Sequence, residues 1–158
     1  MTCGSKFDSG NCVADILREI ADAQTDIVEN GCVTSCEQSI SDLLGDNTLP
    51  AANQLDTVPV LLYCKGDCKP FKGFGAPTKG IGKVGDVFSS FFFRVKSVDE
   101  DNCAVLELLA EEDDQDDCPK DPCDQDVEEL AVTGVCITVD LDCFCHVTCL
   151  PAISAFDR

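Results

Sequence analysis

Val135-Cys-Ile-Thr-Val-Asp-Leu-Asp-Cys-Phe-Cys-His-Val-Thr-Cys-Leu150 alternates apolar or thiol residues with mostly polar ones, the period of a strand with one buried face. Continued unbroken, the alternation puts Val135, Ile137, Val139, Leu141, Cys143, Cys145, Val147 and Cys149 on one side. Cys136, Thr138, Asp140, Asp142, Phe144, His146 and Thr148 fall on the other. The first side is wholly apolar or thiol, and a buried free cysteine behaves as a small hydrophobe. Cys143, Cys145 and Cys149 are therefore expected to line the core or to be bridged internally, while Cys136 stays on the polar side.

The segments upstream carry the same signature. Phe91–Val98 and Cys103–Ala110 flank the turn Asp99-Glu-Asp-Asn102 and predict a hairpin. Phe91, Phe93 and Val95 are expected to share its inner face with Ala104, Leu106 and Leu108. Val58–Tyr63 reads as a strand whose Pro59 belongs at an edge or at the strand start, with Phe71–Phe74 as a short partner. Val127–Val132 forms a further strand that turns at Thr133-Gly134 into the C-terminal one. Gly73–Gly85, with five glycines and a proline, reads as a loop.

Only the N-terminal region has helical period. Val13, Ile16, Leu17, Ile20, Ala23, Ile27 and Val28 recur every three to four residues, with Ser9 or Asn11 to cap the start and Asn30-Gly31 to stop the helix. Residues 32–53 read as irregular apart from a turn of helix near Gln38–Leu44. The expected fold is mainly β: a small β-sandwich-like domain with one N-terminal amphipathic helix. It is expected to be a single domain over residues 1–158, with a flexible arm (1–11), a helix (12–30) and a β core (56–150) interrupted by an acidic loop (111–126).

Composition bounds the function. Eleven basic residues against thirty acidic ones give a net charge of −19, which argues against binding phosphate backbones or anionic membranes. No stretch approaches the ~18 apolar residues of a membrane span, and the N-terminal residues have no secretory pattern. Such a chain is expected to be made in a cytosol, where thiols stay reduced. Yet it holds thirteen cysteines, an odd number that cannot all pair within one chain. Either the cysteines hold metal, or they oxidise after the producing cell stops maintaining reducing conditions.

No catalytic residue is expected. The one histidine, His146, follows Cys145 in a strand pattern and points to the opposite face, so the two do not form a nucleophile–base pair. The pairs Cys32/Cys36, Cys64/Cys68 and Cys145/Cys149 have three-residue gaps, whereas structural zinc sites more often use two; a zinc-stabilised intracellular binding module is the alternative reading. Glu111–Asp126 holds nine acidic residues with Cys118 and Cys123 and is read as an exposed loop, clipped by a Cys118–Cys123 bridge. Weak calcium binding there is a further alternative, although EF-hand ligand spacing is missing. No cofactor is implied. Thiols that join one chain to another are expected at Cys3, Cys12, Cys118, Cys123 and Cys136.

Several blocks together carry a resemblance. Cys12-Val-Ala-Asp-Ile-Leu17, Gly31-Cys32, Thr57-Val-Pro-Val-Leu-Leu-Tyr63, Phe91–Val98, Cys103-Ala-Val-Leu106 and, above all, Cys136-Ile-Thr-Val-Asp-Leu-Asp-Cys-Phe-Cys145 followed by Cys149-Leu150 resemble the spore coat protein Y/Z family of Bacillus and its relatives. The resemblance covers most of the chain; the Gly-rich loop and the acidic insertion are particular to this member. It implies a non-enzymatic structural protein of the spore's coat, crust or exosporium. Such a protein is made in the mother-cell cytoplasm, assembles with itself and with other spore-layer proteins, and becomes insoluble through disulfides. It further implies ring-type homo-oligomers that extend into two-dimensional, often hexagonal, lattices.

Overall fold

The structure, a computed structural model, describes residues 9–24, 32–45, 54–114 and 117–156. Two compact units make up the chain, Met1–Val33 and Thr34–Arg158.

The first unit contains helix α1, Cys12–Gln24. Asn11 Oδ1 accepts from the Ala14 N–H at 3.0 Å and caps the helix start. Ser9 has a different role: its N–H and hydroxyl both donate to the buried Asp15 carboxylate, the hydroxyl at 2.6 Å. Arg18 stands 3.6 Å from the same carboxylate. The expected continuation of the helix to residue 30 lies outside the described residues.

The second unit is mainly β, with strands β1 (Val60–Cys64), β2 (Gly73–Gly75), β3 (Thr78–Gly80), β4 (Lys83–Val84), β5 (Phe88–Ser90), β6 (Phe93–Val98), β7 (Cys103–Ala110), β8 (Ala131–Asp140) and β9 (Phe144–Cys149). Five of them form an antiparallel sheet in the order β8-β7-β6-β1-β9. The expected hairpin is β6–β7. In its turn the Asp99 carboxylate accepts from the N–H groups of Asp101 and Cys103, each at 2.9 Å. Pro59 immediately precedes β1, where a missing N–H costs nothing to the ladder.

Both sheet faces are packed. One carries Val60, Leu62, Phe88, Phe93, Ala104, Leu106, Leu108 and Ala110; the other carries Leu61, Phe91, Phe92, Leu109 and Leu130. Phe91 thus lies across the sheet from Phe93, against expectation, because the chain bends between β5 and β6 and β6 begins only at Phe93. Val95, also expected inside, is 43% exposed.

The glycine-rich stretch is not a loop. Gly73 and Gly75 belong to β2, which pairs with β5, and the pair lies directly on the sheet. A Cβ at Gly73 would stand 2.7 Å from the Phe93 ring and 2.9 Å from Ile137 Cδ1, so only glycine lets the backbone approach this closely. This ribbon supplies the second layer over the inner face. Beyond it, β3 and β4 form a separate two-stranded hairpin.

Two further elements differ from the sequence expectation. Thr133-Gly134 is not a turn between strands but lies inside β8. The register against β7 slips there, Gly134 has φ 78°, and its N–H donates to the buried Glu107 carboxylate at 2.8 Å, as in a β-bulge. The single turn of helix expected near Gln38–Leu44 is the longer helix α2, Cys36–Leu44. Ser35 Oγ caps it by accepting from the Gln38 N–H at 3.0 Å, and Gly45 ends it in the left-handed conformation.

The C-terminal pattern is not one strand either. Asp140 caps a single 3-10 turn, Leu141–Cys143, and the chain re-enters the sheet as β9 at the opposite edge. Four residues span at most ~14 Å, whereas a flat five-stranded sheet measures ~19 Å between its edges. The sheet must therefore curl. Leu141 N–H donates to Asn102 O at 2.8 Å and Lys65 N–H to Cys143 O at 2.7 Å, tying the connection to the β6–β7 turn and to the end of β1.

Candidate functional site

The residues to account for are the cysteines, and the fold sorts them into two populations. Cys36 at the start of α2 and Cys149 at the end of β9 form a disulfide. One helical turn on, the buried Ser39 donates its hydroxyl to Leu150 O at 2.7 Å, so α2 is fixed to β9 by a covalent and a polar contact. Cys12 is also disulfide-bonded.

Among the described residues nine further cysteines are free: Cys32, Cys64, Cys68, Cys103, Cys118, Cys123, Cys136, Cys143 and Cys145. All are exposed except Cys64, which is half-buried. This is an unusual distribution, since unpaired cysteine is among the most buried of residue types.

Three segments converge at one end of the sheet. Cys64 ends β1, and the following turn brings the Cys68 N–H to Cys64 O at 3.0 Å. Cys143 closes the 3-10 turn, and its carbonyl accepts from Lys65. Cys145 is the extra residue of a bulge in β9, because Tyr63 pairs with His146 while Cys64 pairs with Phe144. Its thiol stands 3.6 Å from Cys64 O. Burial raises the pKa of the Cys64 thiol, and the charges of Asp67, Cys143 and Cys145 raise it further. Beside this group His146 stacks on Tyr63, ring centres 4.3 Å apart.

Cys136 stands elsewhere, exposed on β8 opposite Glu107. β8 and β9 are the two edge strands, so each edge of the sheet carries a free, exposed thiol. Edge strands also present unpaired backbone donors and acceptors to any incoming chain.

The expected assignments change accordingly. Cys143 and Cys145 are neither core nor bridged: the 3-10 turn and the bulge reset the alternation, and Phe144 takes the inward position against Phe71, ring centres 5.1 Å apart. Cys149 is the one residue of that trio that is bridged. Cys118 and Cys123 are exposed, as is Cys136, but they form no bridge with each other. The acidic loop is held instead by Gln125, whose buried amide accepts from the Phe91 N–H at 2.9 Å and donates to Ser90 Oγ at 2.9 Å and Leu109 O at 3.2 Å. Cys12 is not a free thiol, and Cys3 lies outside the described residues. Cys32, Cys64, Cys68 and Cys103 are surface thiols that the strand pattern gave no reason to single out.

The Cys36–Cys149 bridge takes one member from two of the three spaced pairs, so the spacing that suggested zinc persists only at Cys64/Cys68. Among the described residues, the one group of potential ligands with donor atoms within 4.8 Å of one another is carboxylate: Glu111, Asp114 and Asp126. No helix among them is long and apolar enough to cross a membrane.

Comparison with known proteins agrees on one family. The family described as Spore coat protein Z matches residues 1–152. The spore coat protein Z of Bacillus subtilis (strain 168) is 34% identical to this chain over 151 residues, covering 90% of each. No solved structure matches the chain.

Proposed function

The chain belongs to the spore coat protein Z family, and from that premise we propose that it is a self-assembling structural protein of the spore's outer layer whose copies are joined by disulfides into ordered arrays. The observation that carries this reading is the set of nine free cysteines among the described residues, eight of them exposed, in a fold that already has its own bridge between Cys36 and Cys149. Thiols kept at the surface are available to other molecules, and thiolate–disulfide exchange then needs only access and an oxidant.

Assembly has two stages. Subunits made in the reducing cytoplasm of the mother cell first associate without covalent bonds, through closed rings that extend into a lattice. The thiols oxidise once that cell lyses, and the array becomes insoluble. Cys136 on β8, and Cys145 with Cys143 and Cys64 at the β9 end, are the cross-linking positions, since they stand on or beside the two sheet edges. Cys118 and Cys123 in the acidic segment contribute bridges to neighbouring copies or to other coat proteins.

The test is electron microscopy and non-reducing gel electrophoresis of the purified chain, before and after oxidation. Ordered sheets, filaments or stacked rings that acquire disulfide ladders are expected, and Cys136→Ser with Cys145→Ser should remove most of the ladder while arrays still form. A monodisperse monomer under both reducing and oxidising conditions refutes the proposal.

A further inference from the structure

The acidic segment has a feature that its charge alone does not explain. In β5, Phe88 packs into the core and Ser90 directs its hydroxyl to Leu109 O at 2.6 Å. Ser89, between them, must point the other way. Its cross-strand partner Phe74 shares that outward side and is 55% exposed, yet Ser89 is only 1% exposed. The acidic segment roofs it, with Asp117 O accepting the Ser89 N–H at 3.1 Å. The cavity beneath it, about 380 Å³ and open to solvent on one side, is lined by Ser89 together with Asp114, Asp117, Asp124 and Asp126, with Lys120 as its one basic lining residue. Ser89 Oγ faces it with no hydrogen-bond partner, an expensive state for a buried hydroxyl.

Beside the cavity, carboxylate oxygens of Glu111, Asp114 and Asp126 lie within 4.8 Å of one another. Two oxygens on opposite sides of a calcium ion, each at 2.3–2.6 Å, stand roughly that far apart.

We propose a calcium site at the edge of this cavity, where carboxylate oxygens of Glu111, Asp114 and Asp126 converge, with the neutral Ser89 hydroxyl facing the ion. The donors are all hard oxygens, which suits calcium rather than zinc. The three carboxylates come from both ends of the loop, so the ion closes the segment onto β5. The inference is independent of cross-linking and stands or falls separately from the assembly role.

Calorimetric titration of CaCl₂ into the full chain, surface thiols alkylated, in ~0.15 M salt with magnesium present, tests it. One ion per chain is expected, with a dissociation constant of about 10⁻⁴ to 10⁻³ M. Glu111→Gln with Asp114→Asn should weaken binding at least ~10-fold, and Ser89→Ala several-fold. Glu100→Gln with Asp101→Asn, in the exposed β6–β7 turn, removes equal charge outside the site and should change nothing. Because Ser89→Ala deletes only an unpartnered hydroxyl, it keeps the test open if the double variant fails to fold. Non-saturating uptake, or equal affinity in the wild type and Ser89→Ala, overturns the proposal.

Discussion

Breaking the Cys36–Cys149 bridge should separate its role from that of every other cysteine. The bond closes a loop with a sequence separation of 113, and the chain-entropy relation for such a loop gives about 16 cal/mol/K, or about 5 kcal/mol at 25 °C. A domain of this size is stable by only ~5–15 kcal/mol, so the loss is a third or more of the total. With a urea dependence on the order of 2 kcal/mol/M, the unfolding midpoint should fall by roughly 2.5 M. The assay is urea denaturation followed by far-ultraviolet circular dichroism, on protein whose surface thiols are alkylated before unfolding. Cys36→Ala, Cys149→Ala and the double variant should lose nearly the same amount, because either substitution breaks the one bond. All three should still form disulfide ladders on oxidation. Strictly additive losses, or a midpoint shift below about 0.5 M, would refute the assignment of this pair as a structural staple.

The remaining predictions concern single contacts. Gln125→Ala leaves the buried Phe91 N–H without its acceptor and a hole beneath the acidic loop, and should cost ~2–4 kcal/mol in the same denaturation assay. Gly73→Ala forces a methyl against the Phe93 ring and should cost ~1–3 kcal/mol. Cys64, its thiol pKa raised by burial and by Asp67, Cys143 and Cys145, should react with iodoacetamide at pH 8 more slowly than in urea-unfolded protein. The gap should narrow as pH rises through that elevated value, as peptide mass spectrometry would read. Asp114 binds its proton more tightly when folded, so its stabilising contribution is present below its unfolded pKa and lost as pH rises through the folded value. Asp114→Asn should therefore raise the urea midpoint at pH 7 in chelator, and that advantage should vanish below about pH 4.

The hairpin β6–β7 was readable because its information is local: alternating β-branched and aromatic residues on either side of a turn whose Asp99 carboxylate binds its own backbone. Helix α2 was readable only as a turn near Gln38–Leu44; its true bounds are set by the Ser35 cap on the Gln38 N–H and by Gly45. The glycine-rich stretch misled for the opposite reason. Glycine is a turn signal when judged by its neighbours, but here it records how closely β2 approaches Phe93 and Ile137, which are distant in sequence. Thr133-Gly134 misled in the same way, as its positive φ serves a bulge held by Glu107 from the neighbouring strand.

The sequence by itself determined the mainly-β class, the N-terminal helix, the acidic segment and, through its cysteine-rich end, the family. The tertiary structure decided what each cysteine does. Alternation over Val135–Cys149 assigned faces by counting in twos, but a three-residue 3-10 turn capped by Asp140 and a one-residue bulge at Cys145 each reset the count. The same chain segment therefore supplies both edges of a curled sheet, turns Cys143 and Cys145 outward, and brings Cys149 to a partner 113 residues away. Side-chain period is a local property of backbone geometry. Whether a thiol is bridged or free depends on which distant segment the fold places beside it.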